Sequence, residues 1–192
     1  MTDPAYDFQK LSDVLQAMDR AWDEIAAQYD FRCNGCEDNC CQSLFFHHTH
    51  AEKAYLKHGF NLLPRAERAE ILDKARDYCE ITFDPETPPD AGATSKKTPC
   101  PLLLGGRCRL YRHRPMICRM HGLPHELHRL GFPVIKGPGC DAGRFDEKEY
   151  IPFDRTPFYR DMAGVEMEFR AAYGKTGKVR ETIAQILLSD TV

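Results

Sequence analysis

From Asp3 to Tyr29 the apolar residues Phe8, Leu11, Val14, Leu15, Met18, Trp22, Ile25 and Tyr29 recur every three or four positions, with polar and charged residues between them. An α-helix turns once in 3.6 residues, so this spacing stacks the apolar side chains on one face and predicts a long amphipathic helix. Trp22 and its neighbours then read as core packing. Thr49 with Glu52 three residues on has the form of a helix start, and predicts a short helix through Leu56 that the Gly59 region ends. Pro64 suits a first helical turn, and beyond it Ile71, Leu72, Ala75, Tyr78 and Cys79 share a face. The helical period returns from Phe158 to Ala172, with Met162, Val165 and Phe169, and from Val179 to Leu188, with Ile183, Ile186 and Leu187. There is no internal repeat and no heptad run.

The middle of the chain lacks this periodicity. Residues 84–98, DPETPPDAGATSKKT, are proline-rich, small and polar, and predict an exposed flexible loop. After it, Cys100-Pro-Leu-Leu-Leu-Gly-Gly-Arg-Cys108-Arg-Leu-Tyr111 predicts two short strands about a Gly105-Gly106 turn, with a cysteine near each end of the hairpin. From Tyr111 to Gly143 proline, glycine, histidine and arginine dominate, and order there depends on something besides an apolar core. The predicted fold is therefore a single α+β domain spanning 1–192. It is mainly α-helical, with helices packed around a small loop-rich centre that carries one short β-hairpin.

Charge changes this picture little. The 192 residues carry 26 Lys+Arg against 29 Asp+Glu, so the overall balance advertises neither nucleic acid nor an anionic membrane as a partner. No run has the length of a membrane span, and the expected location is the cytoplasm. In that compartment thiols stay reduced, and nine cysteines then point to metal ligands or redox groups before disulfides.

Eight of the nine form a pattern. Cys33-x-x-Cys36 brings two sulfurs to one point across a turn that Asn34 and Gly35 make easily, and Cys40 and Cys41 follow at once. Cys100, Cys108, Cys118 and Cys140 lie in turn-forming sequence further on, so the metal-binding region spans 33–140. Adjacent side chains of an extended backbone point to opposite sides, so Cys40 and Cys41 can serve different atoms. Eight thiolates suit two four-sulfur zinc sites, a bridged pair of metals, or one iron-sulfur cluster with spare cysteines for redox or substrate handling. Cys79 lies in an apolar stripe and is expected to act as a small core residue.

Four thiolates leave a net negative site, and Arg32, Arg107, Arg109, Arg112, Arg114 and Arg119 flank the candidate ligands. They are expected either to compensate that charge, to bind an anionic group, or to form a solvated face. Histidines His47, His48, His50, His113, His121, His125 and His128 stand near the same segments. Of these His121, a turn past Cys118, is the one singled out as a candidate ligand.

At these residues the chain resembles the YkgJ-type cysteine-cluster family, which is described as binding zinc or iron. The resemblance rests on Cys33-x-x-Cys36-x-x-x-Cys40-Cys41, Cys100-Pro-Leu-Leu, Gly106-Arg107-Cys108-Arg-Leu-Tyr111 and Arg114-Pro115-x-x-Cys118-Arg119. It implies a protein that binds zinc or iron; the residues themselves point to zinc or an iron-sulfur cluster, held either in an accessory role that works through a protein partner or in a redox role. The family is similar to flagellin lysine N-methylase, which implies an alternative iron-sulfur enzyme that methylates protein lysines. The chain offers no glycine-rich strand-turn-helix for an adenosyl cofactor, no nucleophile elbow, no phosphate loop and no His-Glu-x-x-His.

Overall fold

Leu11, Leu15 and Met18 are buried along one face of α1 (Gln9–Gln28), as the spacing requires. The computed structural model describes residues 6–33, 40–83 and 98–189. Most of the predicted 84–98 loop, the Asn34-Gly35 turn and Asp3 lie outside the described residues. Helix α1 starts at Gln9, later than the periodicity suggests, where the Asp7 carboxylate accepts the Gln9 amide at 2.9 Å.

The remaining elements are α2 (His50–Asn61), α3 (Arg65–Thr82), β1 (Leu103–Leu104), β2 (Arg107–Cys108), α4 (Met116–Met120), β3 (His125–Leu127), β4 (Ile135–Gly137), β5 (Phe153–Asp154), α5 (Thr156–Tyr173) and α6 (Ile183–Leu188). The fold is α+β and mainly helical. It divides into two compact units, one of residues 1–33 and 119–176, the other of residues 34–118 and 177–192. Among the described residues no helix is long and apolar enough to cross a membrane.

In the first unit α1 packs along α5, whose Met162, Val165 and Phe169 are buried. Strand β3 pairs antiparallel with β4 and parallel with β5, giving the order β4-β3-β5. The Trp22 indole donates to the His121 carbonyl at 2.9 Å, so the tryptophan packs and also satisfies its one polar group. Buried Arg119 pairs with Asp19, and buried Arg155 donates to the Met120 carbonyl.

The second unit holds a core of Leu56, Phe60, Ile71, Leu102, Leu110, Ile186 and Leu187, contributed by α2, α3, α6 and the chain on either side of the hairpin. Each such side chain contributes roughly 1.5–3 kcal/mol on burial. The hairpin forms as predicted: Leu103 faces Cys108 and Leu104 faces Arg107, and Gly105 and Gly106 turn the chain with φ of 58° and 76°. Two consecutive positive φ values are what a tight hairpin of this hand needs, and glycine supplies them without strain.

Three boundaries differ from expectation for physical reasons. Thr49 does cap α2, accepting the Glu52 amide at 3.2 Å, but the helix runs through Gly59 to Asn61. Gly59 is there because the His113 ring lies against its Cα, in the space a Cβ would take. Gly59→Ala is therefore expected to cost about 1–3 kcal/mol by overpacking, read as a lower denaturation midpoint; an unchanged midpoint would show that the ring moves aside freely. Pro64 stands just before α3 and caps it from outside, one position earlier than expected. Helix α6 is shorter than the apolar run, because Thr182 and Gln185 form a capping box that starts it at Ile183. Just before that box, Glu181 pairs with His47 as an antiparallel bridge, with amide–carbonyl distances of 2.8 and 3.2 Å.

Candidate metal centre

Within the second unit four of the predicted ligands, Cys41, Cys100, Cys108 and Cys118, line one pocket, and His47 lines it with them. A water molecule's centre has about 30 Å³ to move there, room for a water or an ion.

Each cysteine reaches the pocket by a separate local device. Cys41 sits in a one-turn 3₁₀ segment, Cys40–Gln42, and its carbonyl accepts the Cys100 amide at 2.6 Å. That bond joins two cysteine-bearing stretches that are separated in sequence by α2 and α3. Cys100 and Cys108 both pack against the apolar core, and the chain just beyond the hairpin closes back on it through the Arg109 amide to the Leu102 carbonyl at 2.9 Å. Cys118 lies on α4, whose first residue, Met116, donates its amide to the buried Glu52 carboxylate at 2.7 Å. Glu52 also accepts the Thr49 hydroxyl at 2.6 Å. A charged acceptor thus ties the start of α2 to the start of α4.

After Cys41 the lining residues alternate: Ser43, Phe45 and His47 face the pocket. Period-two spacing is that of extended backbone. His47 is 3% exposed, and its Nε2 has no hydrogen-bond partner among the described residues. Burial pushes its pKa down to about 4, with the neighbouring His48 adding to the effect, so the imidazole is neutral at ordinary pH.

Cys36 and the Cys40 side chain lie outside the described residues. Cys33 is exposed and Cys140 is buried, both in the first unit, where the Cys140 amide donates to the Gly122 carbonyl at 3.0 Å. His121 also belongs to the first unit and does not line the pocket. Cys79 packs beside the Ala75, Tyr78 and Ala184 cluster, and burial pushes its thiol pKa up, as for a small core residue. Among the arginines, Arg114 lines the pocket and lies 3.7 Å over the Tyr111 ring. Arg109 instead pairs with Glu67, whose carboxyl it holds below the usual range, so the expected arginine shell contributes one side chain to this wall.

The donor types fit zinc or iron, since thiolate and imidazole suit both. Among the described residues, no three His, Cys, Asp or Glu side chains are grouped to hold an ion. Residues 32–132, just over half of the chain, match the family CxxCxxCC, described as a "putative zinc- or iron-chelating domain". The chain belongs to this family. The CxxCxxCC match takes in Cys33, Cys36, Cys40, Cys41, Cys100, Cys108 and Cys118 and stops short of Cys140. No curated protein and no solved structure matches the chain.

Proposed function

We propose that this protein holds zinc or an iron-sulfur centre through thiolates gathered at the pocket of the second unit, and acts in an accessory or redox role beside a protein partner. The observation that carries the reading is that Cys41, Cys100, Cys108 and Cys118, brought from three stretches of chain, line one pocket. Cys36 and Cys40 join the set on the spacing of the first motif, while Cys33 and Cys140 stay candidate ligands on the cysteine pattern of the sequence alone. Thiolates must lose their protons to bind, so metal uptake draws the sulfurs together and lends that binding energy to the fold. What a bound metal supplies is a closed, cross-linking site if it is zinc, and electron transfer if it is an iron-sulfur centre. The cytoplasm is the compartment in which these thiols stay available.

Anaerobic purification followed by absorption spectroscopy and metal analysis tests the reading. A colourless protein with thiolate-bound zinc is expected for the structural role. A brown protein with broad visible absorption and acid-labile sulfide is expected for the redox role, and is the condition for the lysine-methylase alternative. A folded protein that takes up neither zinc nor iron would overturn the proposal.

A further inference from the structure

A buried imidazole nitrogen without a hydrogen bond is a net cost to folding unless something accepts or donates to it. His47 carries such a nitrogen, and its backbone is held on both sides. Its amide and carbonyl are both paired with Glu181, and Glu181 in turn holds Lys53 at 2.7 Å. The ring therefore sits on a braced segment, on the same pocket wall as Cys41 and two residues beyond Phe45. The adjacent His48 has the opposite parity: it is exposed and its Nδ1 lies 3.2 Å from the Val179 carbonyl.

We propose that His47 is a nitrogen ligand of the metal held at this pocket, so that the second unit's site is a mixed thiolate–imidazole one. This inference rests on the metal-binding reading above. The Nε2 lone pair forms the bond to the metal, the ring proton stays on Nδ1, and no electrons are exchanged with the metal in doing so. A neutral imidazole in place of a thiolate also leaves the site one negative charge lighter. That agrees with a wall bearing a single arginine, Arg114. Ligands of this kind are set by chemistry and fixed position together, and the braced His47 supplies both.

X-ray absorption at the zinc edge of the full-length protein loaded with zinc alone tests the assignment. The wild-type spectrum is expected to show imidazole scattering alongside sulfur. His47→Cys is expected to keep the metal and lose the imidazole signal. His47→Ala is expected to bind zinc about tenfold more weakly or worse, while His48→Ala matches the wild type. An all-sulfur wild-type shell, or imidazole scattering that survives in His47→Cys, overturns the assignment while leaving the metal-binding reading intact. A wild-type protein that takes up no zinc, cobalt or iron overturns both.

Discussion

Cys118→Ser and Cys108→Ser proteins are expected to bind metal on the order of a hundredfold more weakly than the wild type, whereas Cys79→Ser keeps wild-type affinity. Structural zinc binding by a small thiolate site is worth roughly 10–16 kcal/mol. Divided over four ligands, the loss of one thiolate removes about 3 kcal/mol, which corresponds to two powers of ten. A serine hydroxyl is a poor replacement because it does not ionise at neutral pH. Cys79, by contrast, packs against Tyr78 and Ala184 and does not line the pocket, so its replacement disturbs packing alone. Chelator competition on zinc-loaded protein measures all three, with Cys36→Ser as a companion for the stretch outside the described residues. Equal losses in Cys79→Ser and Cys118→Ser would remove the distinction between core thiol and ligand, and with it the shared pocket.

Glu52→Ala is expected to lower the stability of the protein by about 3 kcal/mol. The carboxylate is 4% exposed and accepts from the Met116 amide and the Thr49 hydroxyl. A hydrogen bond to a charged group contributes about 1.5–3 kcal/mol, and an amide stranded by its loss adds a penalty of its own. Thr49→Ala, which removes the cap and one donor to Glu52 but leaves the Met116 amide paired, is expected to cost less, about 1–2 kcal/mol. Urea unfolding of the metal-free proteins gives both figures. The larger loss should also weaken metal binding, because α4 carries Cys118 two residues beyond the tethered Met116. A Glu52→Ala midpoint within error of the wild type would show that Glu52 does not hold α4 in solution.

Much of the helical frame was legible because periodicity reports burial directly. Leu11, Leu15 and Met18 on α1, Ile71, Ala75 and Tyr78 on α3, and Met162, Val165 and Phe169 on α5 are buried where the spacing put them. The hairpin was equally legible, since a glycine pair between short apolar runs has few other uses. Boundaries set by long-range neighbours were not. Nothing local to Gly59 announces that the His113 ring will lie on it, and the bridge at Glu181 depends on a partner, His47, far away in sequence.

The pocket was half legible. Cysteine spacing names Cys41, Cys100, Cys108 and Cys118, which line it, while His121, the histidine that follows a cysteine most closely in sequence, does not line it and His47 does. After Cys41, Ser43, Phe45 and His47 line the pocket and His48 is exposed, a parity that the run Gln42-Ser43-Leu44-Phe45-Phe46-His47-His48 does not announce through its apolar pattern. The two-unit division was not legible at all, because it depends on residues 177–192 returning to elements made much earlier.

That return has a consequence for the order of assembly. A ribosome delivers Cys41 to His47 early, then the hairpin, then Cys118, and only after all of residues 119–176 does it deliver Thr182, Ile183 and Ala184, which complete the wall of the same pocket. Glu181, the strand partner of His47, and Ile186 and Leu187 of the core arrive with them. The cysteines of this pocket are thus all made before the segment that completes its wall.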